Sequence, residues 1–259
     1  MKEFVLDLYK SRALLIALVT RQLATRYRGS VLGFLWSFLN PLLFMLIYSL
    51  VFKYYIRFDQ VQNYSIFLFC GLLPWMWTQS ALLEGVASIS SSGHLLTKSL
   101  FPAHILPAVS TITSLINFLL SLPLLFIFMI VAGVEFHLTL LLLPLLIFVQ
   151  TIFLMGIAVI AASLNVYLRD IQHVLGHLLN LTFFLCPILY PISTVPDKFK
   201  FTMFLNPFAL FIDFYHALIL EGRLPGLVQS AYLLGFVFLS FILGIIIYQN
   251  YREEFAEAL

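Results

Sequence analysis

The chain has 259 residues, of which 62% are hydrophobic and only 10% charged, and its mean hydropathy is +1.02. A soluble domain carries about 25% charge, so the composition excludes a soluble globular protein and points to an all-α, polytopic membrane protein. A net charge of +2 without a long basic run gives no footing to a nucleic-acid partner. Cys70 and Cys186 lie far apart in apolar segments and are expected as buried thiols, not as a disulfide framework or a metal site.

At the N-terminus, Lys2, Lys10 and Arg12 precede the apolar run ALLIALV at 13–19, an arrangement like that of a signal peptide. The following TRQLATRYR lacks a small-x-small cleavage site and adds positive charge, and the run of seven apolar residues is too short to cross a bilayer. Arg21, Gln22, Thr25 and Arg26 recur at helical spacing, so residues 3–27 are expected as a basic amphipathic helix at the membrane surface. An uncleaved, solvated tail is the alternative. Residues 1–30 are thereby set apart as a cytoplasmic interfacial segment.

Six stretches reach the roughly 20 residues that a membrane-spanning helix needs: 31–52, 65–85, 105–131, 139–163, 173–191 and 228–248. They define a six-span domain at 31–248, followed by a short tail at 249–259. An even number of spans puts both termini on one side. With the termini inside, nine Lys and Arg residues fall in inside segments and five outside, so the positive-inside rule places both termini in the cytoplasm.

Aromatic residues mark the first two spans. Phe34, Phe38, Met45, Tyr48 and Phe52 fall near one face of the first, behind the cationic stretch RYR at 26–28. In the second, Pro74 sits near the centre with Trp75 and Trp77 following it, although tryptophan normally concentrates at membrane interfaces. Two readings stand: core packing around a proline kink, or a conduit whose rings offer apolar faces to sliding sugars. The longest inside loop, SISSSGHLLTKSLFP at 88–102, superficially resembles a phosphate-binding loop. It lacks the Gly before Lys98 and a preceding strand, so the chain is expected to hold no nucleotide.

His173 and His177 stand one helical turn apart on the fifth span and form a polar stripe with Arg169 and Asn180. Such a stripe faces a helix partner or a wet cavity more readily than lipid. Beyond it, CPILYPISTVP at 186–196 breaks the span with three prolines, and FLNPFALFIDFYHALIL at 204–220 carries a short apolar helix. Asn206 fits its N-cap and Pro207 its first position. A re-entrant hairpin over 191–227, suited to gating the outer mouth, is the expectation, with a helix lying on the surface as the alternative.

Chemistry is scarce elsewhere. The twelve acidic residues are scattered, with no pair spaced for acid–base work. No inverted repeat is evident, and the spans lack the ionisable groups that ion coupling uses. If this chain moves something, the energy comes from another subunit.

Taken in order, RYRGSVLGFLWSFLNPL (26–42), GLLPWMW (71–77), NVYLRDI (165–171), CPILYPISTVP and LNPFALFIDFYHALI (205–219) give a pattern over nearly the whole chain. It resembles the membrane subunit of polysaccharide-exporting ABC transporters, which export O-antigen, teichoic acid or capsule. The resemblance implies a non-catalytic homodimeric permease of the inner membrane, working with two copies of a separate ATPase subunit. That subunit, not this chain, would hold ATP and Mg. The substrate implied is a polysaccharide on a polyprenyl pyrophosphate lipid, with the O-antigen branch preferred. His216 stands where a basic Arg is expected in the run after Asn206–Pro207.

These expectations give residues roles. Arg21, Arg26 and Arg28 are candidates to meet the lipid pyrophosphate or the ATPase. Phe34, Phe38, Tyr48, Trp75 and Trp77 are candidates to line the sugar path. Ser91, His94, Leu96 and Lys98 are candidates to couple to the ATPase, and Pro191, Asn206 and Pro207 to form the outer gate. A stand-alone lipid flippase or channel and a membrane-embedded glycan-processing enzyme are the alternative functions.

Overall fold

In the structure, a computed structural model, residues 10–26, 28–55, 61, 63–93, 102–252 and 255 are described. Every regular element among them is helical. The first is α1, Arg12–Arg26. Its inner edge seats the buried Val19 against Ile105 and Val109, with Leu15, Leu18 and Leu23 alongside, while Arg21 and Arg26 stay on the exposed side. The amphipathic helix expected at 3–27 is therefore present from Arg12, and residues 3–9 of that expectation lie outside the described residues.

The first span is composite: a 3-10 turn at Gly33–Leu35, helix α2 at Trp36–Ser49, and a π turn at Leu50–Tyr55. The second is α3, Tyr64–Ala87, which starts where Asn63 takes a left-handed φ of 56°, a conformation Asn tolerates better than most residues. Helix α4 follows at Ile105–Val131 and α5 at Leu143–Tyr167, the latter led by a 3-10 turn at Leu138–Leu142. Pro144 falls in the first turn of α5, where its missing N–H costs nothing.

The helix of the fifth expected span, 173–191, ends early. Helix α6 covers Asp170–Phe184, 15 residues, or about 22 Å at the usual rise. Pro187 and Pro191 explain the stop, because residues before a proline disfavour helical backbone; the chain turns through 185–190 instead. Helix α7, Asp197–Leu205, and α8, Pro207–His216, continued by a π turn at Ala217–Glu221, come next. Last is α9, Leu227–Tyr251. Among the described residues, five helices are long and apolar enough to cross a membrane, and the bent α7–α8 pair makes up to six.

Helix α3 sits at the centre. Its most apolar window is 78% buried, against 17% for the first span and 28% for α9, which fits a helix that is apolar all round. It packs on α4, α5, α2, α6 and α8. Helices α5 and α9 make the other extensive contact, through Gly156 and Gly244, where backbone lies against backbone. Small residues permit such approach between helices in lipid.

The start of α8 matches the sequence. The Asn206 side chain accepts from the Phe208 N–H at 3.1 Å, and Pro207 is the first helical residue. Residues 209–219 are buried, so α8 does not lie on the surface. It turns 103° from α7 and enters the bundle.

Candidate functional site

Two grooves flank α2. The first, between α2, α3 and α4, has a volume of about 480 Å³. Its lining combines Ser37 and Asn40 of α2, Trp77 and Ser80 of α3, and Ser114, Asn117 and Ser121 of α4. Hydroxyls and amides spaced by three and four residues fall on one helix face, which is how an otherwise apolar α4 presents a polar stripe. Ser121 Oγ donates to the Ser37 carbonyl at 3.2 Å and ties α4 to α2. Ser114 Oγ donates to Ser110 O at 2.9 Å and lies 3.3 Å from Ser80 Oγ.

The second groove, of about 550 Å³, lies between α2, α3 and α6 and is lined by Phe44, Tyr48, Trp75, Gln79, Asn180 and Phe183 among others. Rings dominate it. Tyr48 stacks on Phe44, with centroids 6.3 Å apart, and meets Phe183 at 5.8 Å. Trp75 meets the same Phe183 at 5.8 Å and Phe208 of α8 at 6.1 Å.

The grooves share Met76 and Ser80, and each contains one member of an ion pair. Arg26, at the end of α1, lines the first; Glu84 of α3 lines the second; the two side chains pair directly. Arg26 Nη2 also donates to Ser80 Oγ at 3.1 Å, Ser80 Oγ donates to Glu84 Oε1 at 2.7 Å, and Gln22 Nε2 donates to Glu84 Oε2 at 3.0 Å. With both side chains 29% exposed, such a pair contributes about 1 kcal/mol or less to stability. It fixes where α1 sits more than it holds the fold.

Behind the grooves the polar groups are sealed. Gln150 of α5 donates to Thr78 Oγ1 at 3.0 Å and accepts from the Tyr215 hydroxyl at 2.8 Å. Thr78 donates in turn to the Pro74 carbonyl at 2.9 Å. This chain joins α3, α5 and α8 where the interior is driest, and a satisfied network there specifies one packing. Trp77 stacks on Phe118 at 4.9 Å beside it, and Phe118 meets Tyr215 edge-on at 6.0 Å.

At the far end, Arg223 pairs with Asp213 at 2.6 Å and with Glu221. His216 is 3% exposed, its ring stacked on Phe67 at 4.1 Å and its Nε2 3.0 Å from the Phe67 carbonyl. A carbonyl only accepts, so Nε2 carries the proton. The residue that stands in place of an expected Arg is thus a packed histidine. A third cavity of about 480 Å³ opens nearby, lined by Glu135, His137, Pro191, Ser193 and Glu221 among others.

The sequence candidates separate accordingly. Phe34 and Phe38 form an edge-to-face pair at 5.5 Å, with Phe34 exposed, and neither lines the two grooves. Tyr48 and Trp75 come together in the second groove, and Trp77 reaches the first, though both tryptophans are 3% exposed or less. Arg21 and Arg28 are exposed, and Arg26 is engaged with Glu84. Ser91 is exposed on the 3-10 turn Ser90–Ser92; His94, Leu96 and Lys98 lie outside the described residues. Asn206 and Pro207 start α8, and Pro191 borders the third cavity. Of the polar stripe expected on the fifth span, His173, His177 and Asn180 are exposed on α6, and Asn180 borders the second groove. Sequence reasoning passed over Glu84 as a partner, the Gln150 chain and the Ser114–Asn117–Ser121 stripe. Only the stripe had a local signal, its helical spacing.

Comparison with known proteins places the architecture. Residues 13–220 match the family model described as ABC-2 type transporter. Over the full length of both chains, the protein is 40% identical to the O-antigen export system permease protein RfbA of Myxococcus xanthus. It is 33% identical to the RfbA permease of Klebsiella pneumoniae over 95% of each chain. With the polysialic acid transport protein KpsM of Escherichia coli it shares 26% identity, over 92% of this chain and 93% of that one. The chain belongs to the ABC-2 type transporter membrane family.

Proposed function

We propose that this chain is the non-catalytic permease subunit of an ATP-driven exporter that carries a lipid-linked polysaccharide, of the O-antigen type, from the cytoplasm across the inner membrane. The observation that carries the reading is the 40% identity over both full lengths to an O-antigen export permease. The grooves support it chemically. Neutral hydroxyls, amides and rings suit a polymer that must slide, because ring faces attract sugar C–H groups without fixing a register.

The functional unit is a homodimer with two ATPase subunits, which hold ATP and Mg. The first span is only 17% buried within the chain, and α6 leaves His173, His177 and Asn180 exposed. Polar residues on a membrane helix favour a protein partner or a wet path over lipid, and a second copy supplies both. With α6 as the fifth of six crossings, both termini lie in the cytoplasm, and the loop at 88–102, which contains Ser91, engages the ATPase. The α7–α8 pair is read as a re-entrant hairpin. Charged residues at both of its ends, Asp197 and Lys198 at one and Glu221 and Arg223 at the other, support a return to the side it came from.

The test is co-purification with an ATPase of the ABC type, followed by ATP turnover in nanodiscs with and without lipid-linked glycan. Stable association and stimulation by the glycan are expected. Turnover indifferent to every lipid-linked glycan tried would argue for a stand-alone flippase.

A further inference from the structure

We infer that the groove between α2, α3 and α4 is a docking slot for the phosphate-bearing end of an anionic glycolipid, and that the phosphate takes Arg26 from Glu84. The inference rests on the function proposed above and names the part of the substrate that this groove receives.

Arg26 is the only charged residue among the described residues lining this groove. Its contacts to Ser80 and Glu84 both run through Nη2, so one edge of the guanidinium is used. A guanidinium offers five N–H donors in a planar fork, and phosphate oxygens match that fork better than one carboxylate oxygen does. The pair is partly exposed on both sides, so exchanging its anion does not uncover a buried charge. Glu84 then acts as a stand-in anion that keeps the cation in place while the slot waits.

The rest of the lining suits a sugar attached to that phosphate. Ser114 and Ser121 direct their protons to backbone carbonyls, which leaves oxygen lone pairs for sugar hydroxyls. Trp36, 37% exposed, borders the same space and supplies a ring face for pyranose C–H groups, while Trp77, stacked on Phe118, forms the wall behind it. About 480 Å³ holds a phosphate with the first one or two sugars of the chain at a time. The groove therefore receives the reducing end.

Exchange at Arg26 also changes the fold locally. Gln22 and Arg26 attach α1 to α3 through Glu84, and Glu84 borders the second groove. Withdrawing Arg26 leaves Glu84 held by Gln22 and Ser80 alone and loosens the end of α1. Docking is thereby sensed by an interfacial helix.

The experiment uses the full chain with its ATPase in zwitterionic nanodiscs. The probe is a polyprenyl pyrophosphate carrying one sugar; phosphatidylglycerol and inorganic pyrophosphate are competitors. Expected are at least tenfold weaker binding for Arg26→Gln, a smaller, several-fold loss for Arg26→Lys, which keeps the charge and lacks the fork, and several-fold tighter binding for Glu84→Gln. Asn117→Leu should weaken the sugar-bearing probe and leave the bare polyprenyl pyrophosphate unaffected. Thermal midpoints of all variants show whether each remains folded.

The proposal is overturned if Glu84→Gln weakens binding as Arg26→Gln does, because the pair is then structural. It is also overturned if either competitor displaces the probe at equal concentration, because the site is then a general anion site. If lipid-linked glycan still stimulates ATP turnover while affinity ignores Arg26, only the docking slot is wrong. If the probe neither binds nor stimulates wild type, the export reading falls with it.

Discussion

Replacing Gly156 by alanine tests the contact that fixes α9 against α5. The added Cβ would lie 2.7 Å from Ser240 C, 2.8 Å from Ser240 O and 2.9 Å from Phe241 N. Carbon atoms in contact sit about 3.5–4.0 Å apart, and all three neighbours are backbone, so no rotamer change relieves the overlap. From the other side, a Cβ on Gly244 would meet Gly156 O at 2.9 Å. The two helices must part, and overpacking of this kind costs about 1–3 kcal/mol. Alanine also has the higher helix propensity, by up to ~1 kcal/mol, which would mask part of the loss. Gly235→Ala supplies the correction: it lies in α9, and a Cβ there meets nothing within 4 Å. The difference between the two variants cancels propensity and isolates the clash, with Gly156→Ala expected lower by about 1–3 kcal/mol. Unfolding in mixed micelles, followed by circular dichroism, measures both. Equal stability of the two variants would refute the close approach of α5 and α9.

Gln150→Leu strands the Tyr215 hydroxyl inside the bundle and should cost about 1–3 kcal/mol. Adding Tyr215→Phe should recover part of that loss in a double-mutant cycle, and strict additivity would argue against the network. Arg223→Ala removes the counter-charge of Asp213, whose side chain is 7% exposed. A fully buried pair broken this way loses about 3–5 kcal/mol; the 42% exposure of Arg223 reduces the expected loss to roughly half of that, and Asp213→Asn should rescue it. For topology, Lys198→Cys in a chain without Cys70 and Cys186 should react with an impermeant thiol reagent on intact cells, and Ser91→Cys only after permeabilisation. The opposite pattern would reverse the orientation.

Spans one to four and the last were legible because each is a long apolar run, and run length is a local property. The start of α8 was legible for a related reason: an Asn cap and a Pro at the first position act within one turn. The end of the fifth span was misjudged because hydropathy continues through Cys186 and Ile188 while the helix does not. Prolines stop backbone geometry without lowering apolar content. Gln150 illustrates the opposite difficulty. It is one polar residue in an apolar run, and its partners Thr78 and Tyr215 are 72 and 65 residues away. Only the fold brings them together. Glu84 could be seen at the edge of a span, but its partner Arg26 is 58 residues away. The Ser114–Asn117–Ser121 stripe was visible in the spacing and was overshadowed by the aromatic residues.

On the function proposed above, the distribution of charge follows from what a sliding polymer requires. A binding site gains from strong, localised attraction, but a path of such sites would hold its cargo at each step. The lining of the first two grooves is accordingly neutral apart from Arg26 and Glu84, and these neutralise each other. Hydroxyls and ring faces offer many weak contacts of similar depth, so moving by one sugar changes the energy little. The sealed Gln150 chain lies outside the grooves, where it stiffens the wall without touching the cargo. Among the described residues, the ion pairs that touch the bundle sit at its ends: Arg26 with Glu84 beside α1, and Arg223 with Asp213 where α8 ends. On the proposed function, those are the places where a charged lipid head would be captured and a re-entrant element held or released. A permease built this way discriminates at its ends and stays permissive between them, which suits a polymer that repeats the same unit many times.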